Sequence, residues 1–419
     1  MIQEYKKRRD TLAKKLAKNS VAVLVSAKYK TRSNDTEYPF RQDSNFYYLS
    51  GFVEDNASLV FVKSKKSCKT VLFVQKKDAQ MELWNGKRLG IEEAKKLFDV
   101  DEIYTSDVFE STIQTLIKDK TTLYFDFNAK NTRLETLKTK AIKTHKDIAT
   151  PIGMMRLIKS DAEIALIRKA LSITKKAHHK AMKMQKVDKK EYQLQAKIEY
   201  IFKKKGAYSD AYTSIVASGN AANTLHYIEN SQIMKKKKLL LIDAGCEYEY
   251  YASDITRTIP VDKKFTKAQK ELYEMVLDVQ LQIISMVKPK VKRSDLQKRA
   301  AKLLSAGMIK LGILKGSLKK IIKKEKYKKY YPHGIGHWMG IDVHDESPYK
   351  YKSGKEIALM SGMVLTIEPG IYIDEADMSV PKKYRGIGIR IEDNILVTKD
   401  GCENLSAAIA KTPQEIEKY

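Results

Sequence analysis

Leu239-Leu240-Leu241-Ile242-Asp243 and, further on, Asp254-Ile255-Thr256-Arg257-Thr258-Ile259 are the stretches whose reading decides the fold. Both are short, apolar and rich in branched residues, the signature of strands, and each carries an aspartate at its inner end. If the chain between them turns back as a hairpin centred on Tyr248-Glu249, residues whose numbers sum to 497 face each other, and Asp243 stands opposite Asp254. Directly opposed residues hold their Cβ atoms about 4.5–5.5 Å apart, and like charges so placed destabilise a sheet unless something neutralises them. A bound divalent cation, or a pair of them, would do so.

Two later strands point the same way. Residues two apart in a strand share a face, so Met363, Leu365 and Ile367 lie opposite Glu368, and Ile387, Ile389 and Ile391 lie opposite Arg390 and Glu392. One face packs and the other carries carboxylates. A half-solvated antiparallel sheet would show the same alternation. The histidines favour a site: of seven in the chain, His333, His337 and His344 fall within twelve residues, His333-Gly334-Ile335-Gly336-His337 and on to Asp342-Val343-His344. One imidazole among several carboxylates is an oxygen-rich, borderline ligand set suited to Mn(II), Co(II) or Zn(II), and no cysteine lies near a partner for a thiolate site.

Around these strands, 419 residues with 43% hydrophobic side chains are enough for two cored domains of ordinary size. The first part alternates strand and helix signals, with strands at Val21 to Ser26, Ser58 to Val62, Thr70 to Val74 and Thr122 to Asp126, and helical spacing over Ile91 to Phe98 and Val108 to Ile117. The reading is an α/β domain over residues 1–150, a break at Ala149-Thr150-Pro151-Ile152-Gly153, and a second domain over residues 155–419. Ser160-Asp161-Ala162-Glu163 has the spacing of a capping box and opens a long helix. Further helices are expected over about 188–205, 267–287 and 294–312. No apolar run reaches the ~18–20 residues of a membrane span. The start is basic without an apolar core, and Cys68, Cys246 and Cys402 are too few and too scattered for a disulfide framework, so a cytoplasmic protein that touches no membrane is expected. The net charge of +28 comes from 66 Lys and only 13 Arg, spread along the chain. Specific nucleic-acid readers favour the Arg fork with interleaved aromatics, so no specific nucleic-acid partner is expected.

Taken together, four motifs resemble the pita-bread metallopeptidases. They are Ile242-Asp243-Ala244-Gly245 with Ser253-Asp254-Ile255-Thr256-Arg257-Thr258, His333-Gly334-Ile335-Gly336-His337 with Asp342-Val343-His344-Asp345, Thr366-Ile367-Glu368-Pro369-Gly370-Ile371-Tyr372, and Gly388-Ile389-Arg390-Ile391-Glu392-Asp393. The N-terminal stretches Glu37-Tyr38-Pro39-Phe40-Arg41-Gln42-Asp43-Ser44-Asn45-Phe46-Tyr47-Tyr48-Leu49-Ser50-Gly51-Phe52 and Leu83-Trp84-Asn85-Gly86-Lys87-Arg88-Leu89-Gly90 are similar to the Xaa-Pro aminopeptidases (aminopeptidase P) within that group. Gly336, where some members carry serine, departs slightly and is shared with prolidases.

The resemblance implies an α/β (α+β) architecture in which a pita-bread catalytic domain, a curved antiparallel sheet covered by helices, follows the N-terminal domain. It implies an exopeptidase that releases the N-terminal residue from peptides with proline second, through attack of a metal-bridging hydroxide on the X-Pro carbonyl. Asp243, Asp254, His337, Glu368 and Glu392 match the metal ligands of two divalent ions, Mn(II) first and Co(II) or Zn(II) as alternatives. Glu368 matches the proton shuttle, His226, His333 and His344 match substrate-pocket residues that also stabilise the intermediate, and Tyr372 and Arg390 match residues behind the Asp243 ligand. Trp84 matches a residue that contacts substrate in a neighbouring subunit of a homo-oligomer, although an aromatic in that setting is equally read as a core or lid residue. A prolidase acting on X-Pro dipeptides and a non-catalytic pita-bread binding module are the alternatives; the second normally loses ligand residues, and none is lost here.

Overall fold

The computed structural model describes residues 2–129, 133, 134, 137 and 142–419. It divides into two compact units, Met1–Met155 and Arg156–Tyr419. In the first, six strands lie in the order Glu102–Thr105, Cys68–Val74, Ser58–Lys63, Ser20–Val25, Thr122–Phe125 and Thr144–Asp147. Ser58–Lys63 pairs antiparallel with both its neighbours, Ser20–Val25 and Cys68–Val74, whereas Thr122–Phe125 and Glu102–Thr105 join theirs in parallel after helical connections. Alternate residues Val21, Val23, Val60, Val71, Phe73 and Leu123 face Phe109, Ile113 and Ile117, spaced one helical turn apart on Phe109–Ile117, and this is the core of the unit. The Glu37-to-Phe52 stretch contributes the helix Ser44–Ser50, capped by Asp43, whose Oδ1 accepts from Phe46 N at 2.8 Å; Phe46, Tyr47, Tyr48 and Leu49 are buried.

The expected break at 149–153 is instead helical, Ala149–Arg156. Pro151 falls in its first turn, where backbone N–H groups lack intrahelical partners anyway, so its missing donor costs little. The second unit opens with the helix Asp161–Met184, in which the Ser160 and Glu163 side chains and backbones bond reciprocally as a capping box. Helices Glu191–Lys204, Lys267–Met286 and Arg293–Lys310 follow.

Every strand pairing of the second unit is antiparallel. Leu239–Asp243 lies between Ile215–Ser218 and Thr256–Pro260; Val364–Ile367 pairs with Asp393–Val397, and Gly370–Ile373 with Ile387–Arg390. The hairpin register differs from expectation. Asp243 stands opposite Thr256, not Asp254, so the two aspartates are diagonal neighbours on one face. The cause is the turn: Glu249 and Tyr250 both adopt left-handed backbone, φ 46° and 69°, between the paired Tyr248 and Tyr251, a two-residue type I′ turn centred one residue later than the sequence suggests. Gly245 lets the strands close up past it, because a Cβ there would lie 1.7 Å from the Ser253 carbonyl oxygen.

The half-solvated alternative does not hold. Leu239–Asp243, Thr256–Pro260, Val364–Ile367 and Ile387–Arg390 are buried on both faces, and Asp243 and Arg390 at two strand ends, with Glu368 and Glu392 just beyond, line a cavity. From the helix Lys267–Met286, the buried Gln280 donates through Nε2 to the Ile367 and Ile391 carbonyls at 3.3 and 3.1 Å, tying the two carboxylate-bearing strands together next to Glu368 and Glu392.

Candidate metal centre

Four separate backbone arrangements aim side chains into that cavity. Asp243 ends its strand, and Asp254 precedes the returning one, pinned by Asn394: the Asp254 N–H donates to Asn394 Oδ1 (3.1 Å) and Asn394 Nδ2 to the Asp254 carbonyl (2.6 Å). His337 lies on a segment that runs antiparallel to Val364–Ile367, with Thr366 N donating to His337 O (2.9 Å) and Glu368 N to Ile335 O (2.9 Å). That ladder brings the imidazole beside the Glu368 carboxyl. Gly336 permits the close approach seen in this chain, where a Cβ would stand 1.9 Å from the Thr366 carbonyl oxygen. Glu392 is held by Thr256, which accepts at its carbonyl from Glu392 N (3.1 Å) and donates from Oγ1 to Oε2 (2.8 Å).

The resulting cavity of about 550 Å³ is lined by Asp243, Asp254, His337, Glu368 and Glu392, together with His226, His333, His344 and Arg390. Ligand-capable atoms of Asp254, His337 and Glu392 lie within 4.8 Å of one another. His337 Nδ1 is 3.0 Å from the Trp338 carbonyl, which fixes the ring and turns Nε2 towards Asp254 Oδ2 (3.2 Å) and Glu368 Oε1 (3.8 Å). A ligating imidazole is commonly oriented in this way by a carbonyl behind it.

Charge makes the case for a cation. Burial pushes the Glu368 carboxyl up to about 7, and burial with the neighbouring carboxylates pushes Glu392 well above the usual range. Asp243 also rises through burial, against the pull of Arg390. Burial opposes a charge on His337, yet the hydrogen bond and charge of Asp254 outweigh it and raise the imidazole to about 9. Four carboxyls are thus gathered around one ion-paired guanidinium, that of Arg390, and one imidazole raised by its acidic neighbours, an arrangement short of positive charge. Buried carboxylates are paired or coordinate metals, so these residues fit the divalent ions that their types suggest.

Behind these side chains runs a hydrogen-bonded chain. Arg390 donates from Nη2 to Asp243 Oδ2 (2.7 Å) and from Nη1 to Tyr372 Oη (3.0 Å), and Tyr372 Oη lies 2.8 Å from His333 Nε2. Tyr372 is buried behind the wall, and burial lifts its hydroxyl to about 12. Burial lowers His333 to about 4 and also lowers His344, whose ring meets His337 edge to face at 4.1 Å. Trp84 stands in the other unit, on the helix Ala79–Asn85, 78% exposed beside Leu83. Its reading as a core residue is therefore ruled out.

Several residues of the centre escaped the sequence reading. Tyr212 Oη lies 2.6 Å from both Asp243 Oδ1 and Asp254 Oδ1, bridging the aspartates that the hairpin places diagonally. His178, fully buried, meets the Ala244 carbonyl through Nε2 at 2.9 Å and supports the strand end that carries Asp243. Arg293 and Tyr349 complete the cavity wall.

The profile of metallopeptidase family M24 matches residues 165–399, and that of the aminopeptidase P N-terminal domain matches residues 5–124. The Xaa-Pro aminopeptidase of Haemophilus influenzae is 40% identical over 418 residues, spanning 99% of this chain and 96% of the relative. Xaa-Pro aminopeptidase 3 of Homo sapiens is 37% identical over 95% of this chain and 80% of its own length. Zinc-substituted Escherichia coli aminopeptidase P in complex with product superposes with a TM-score of 0.95 at 38% identity, covering 100% of this chain and 98% of that one. Proline aminopeptidase P II from Yersinia pestis gives 0.94 at 39% identity, with 100% and 99% covered. Matched in both units and along its full length, the chain belongs to metallopeptidase family M24, with the pita-bread catalytic fold and the N-terminal domain of aminopeptidase P.

Proposed function

We propose that the chain releases the N-terminal residue from peptides whose second residue is proline, using two divalent cations held by Asp243, Asp254, His337, Glu368 and Glu392. The observation that carries this reading is the convergence of four carboxyls, three buried and one half-buried, and one imidazole on one cavity, in a chain whose full-length relatives are Xaa-Pro aminopeptidases. Divalent cations bound there supply Lewis-acid charge that lowers the pKa of water and polarises the scissile carbonyl. The oxygen-rich ligand set suits Mn(II), with Co(II) or Zn(II) as substitutes.

The chain's own residues then divide the remaining work. Tyr212 and Arg390 hold the aspartates in register. Glu368 faces the cavity and carries a proton to the proline nitrogen as the C–N bond breaks. His226, His333 and His344 line the pocket for the proline ring and steady the developing oxyanion. An X-Pro bond has no N–H and a rigid ring, so a site built of imidazole faces suits it better than one that reads a backbone donor. Trp84, exposed on its own unit, fits a contact with substrate across a homo-oligomer, and three free cysteines fit the cytoplasm. No helix among the described residues is long and apolar enough to cross a membrane.

The test is metal content measured together with release of the first residue from X-Pro-X and X-Ala-X peptides. Proline at the second position is expected to account for most of the rate. Equal turnover of the two peptides overturns the proline specificity, and hydrolysis of X-Pro dipeptides alone assigns the chain to prolidases.

A further inference from the structure

Two guanidinium groups line the cavity, and they are held differently. Arg390 is buried and ion-paired with Asp243. Arg293, the first residue of the helix Arg293–Lys310, makes no ion pair with any carboxylate among the described residues. Its Nη1 donates to the Gly336 carbonyl at 3.2 Å, and its Nε is buried without a hydrogen-bond partner. The guanidinium carbon lies 4.5 Å from the centroid of the Tyr349 ring, which is itself stacked on the buried Trp338, 5.4 Å between centroids and 18° between planes. Glu356, close by in sequence to this wall, is already engaged by Ser294 through its N–H (2.9 Å) and Oγ (2.6 Å).

This geometry immobilises a planar cation. One terminal nitrogen is anchored to a carbonyl and one face is clamped on an aromatic stack, so the outer Nη1–Nη2 edge has a fixed direction on the cavity wall. Gly334 leaves Nη1 on that edge uncovered, for a side chain at that position would begin only 3.4 Å from it. A fixed guanidinium edge matches a carboxylate, which it can grip through two parallel hydrogen bonds. A cavity of about 550 Å³ suits a drug-sized ligand, the size of a tripeptide. In a peptide that short, the terminal carboxylate lies within the cavity itself.

We infer that Arg293 is a specificity-determining residue that binds a carboxylate of the peptide, the C-terminal α-carboxylate of short X-Pro-X substrates. The inference rests on the proposed function. An acidic side chain after the proline would present the same group, and the two sources are separable.

The experiment compares kcat and KM for Ala-Pro-Ala, its C-terminal amide and Ala-Pro-Asp amide, using Mn(II)-loaded wild-type protein, Arg293→Met and Arg293→Lys. Wild type is expected to favour the free acid over the amide by about tenfold or more, mainly through KM, as a lost charge-assisted hydrogen bond dictates. In Arg293→Met the acid-to-amide ratio should fall to about one, and Arg293→Lys, which keeps the charge without the fork, should restore part of it. Preference for Ala-Pro-Asp amide over Ala-Pro-Ala amide in wild type, lost in Arg293→Met, supports the carboxylate site with a side chain as its source. Preference confined to the free acid supports the terminal carboxylate. Equal use of acid and amide by wild type, which needs no variant to fold, or a preference that survives in Arg293→Met, overturns this inference alone. Hydrolysis of none of the three peptides overturns the proposed function instead.

Discussion

Replacing Asp345 by asparagine should destabilise the catalytic unit strongly while removing no volume. The carboxyl is fully buried, with Oδ1 2.6 Å from Arg156 Nη2 and Oδ2 3.0 Å from Lys159 Nζ, and all three side chains are only 1% exposed. Arg156 also reaches Asp342, 2.5 Å away and partly exposed. Asparagine fills the same space, so no cavity term enters; what remains is a buried ammonium and a buried guanidinium that have lost their shared anion. Removing one partner of a buried ion pair costs about 3–5 kcal/mol. At about 2–4 °C per kcal/mol for a domain of this size, Tm should fall by about 6–20 °C. The assay is thermal or urea unfolding at pH 7, followed by the fluorescence of Trp338, whose carbonyl accepts from Asp345 N at 2.9 Å. The chain has only two tryptophans, so a Trp84→Phe background isolates this probe. The pH dependence gives a second check. Burial works against the charge on Asp345, but Lys159 and Arg156 overcome it and hold the carboxyl at about 2, against an unfolded value of about 3.9. A depressed folded pKa means stability that is present above pH ~4 and is lost as pH falls through ~2, amounting to about 2.6 kcal/mol. The gap between wild type and Asp345→Asn should therefore narrow across that window. A variant within about 2 °C of wild type at pH 7, or a gap unchanged down to pH 2, refutes the account of this ion-pair cluster.

Asp254→Ala and His337→Ala should each lose bound metal and more than about 100-fold in turnover while keeping the far-ultraviolet circular dichroism of the wild type; full activity in either one removes the proposed mechanism. Tyr212→Phe deletes only the hydroxyl between the two aspartates and should weaken Mn(II) binding about 10–100-fold by direct titration, so an unchanged affinity would show that the bridge is incidental. Trp84→Ala should raise KM for longer peptides with metal content unchanged, and a wild-type protein that sediments as a monomer with full activity on X-Pro-X excludes the shared-site version.

Strand parity alone points to Glu368, Arg390 and Glu392 as one polar face, because a period of two survives any uncertainty about where a strand ends. Register is another matter. Tyr248, Glu249 and Tyr250 carry none of the Asn-Gly chemistry that marks a type I′ turn, so the turn centre, and with it the partner of Asp243, is settled by how the strands pack. The Pro-Gly pair at 151–153 reads as punctuation, yet a proline in a first helical turn breaks nothing. Tyr212 is one of 24 tyrosines with no periodic or motif signal around it, and Arg293 opens an ordinary-looking helix. Their roles arise from segments far apart in the chain that meet only in three dimensions. The gathered carboxyls were legible because their cost is local and chemical; the residues that brace and flank them were not, because their placement is purely tertiary.

The five proposed ligand positions run from Asp243 to Glu392 and stand on segments that pair with one another across most of the second unit. Such long-range pairings are slow to form, since each must close a large loop before it gains anything. Until the ladders between Ile335–His337 and Thr366–Glu368, and between Thr256 and Glu392, are complete, no partial set of neighbours along the chain offers more than a pair of donors. Cations bound at the proposed centre would therefore not nucleate this unit. They would arrive at a finished scaffold, relieve its clustered negative charge, and stabilise it by mass action in proportion to their affinity and concentration. The moment of cation uptake in a refolding experiment would time the last step of assembly.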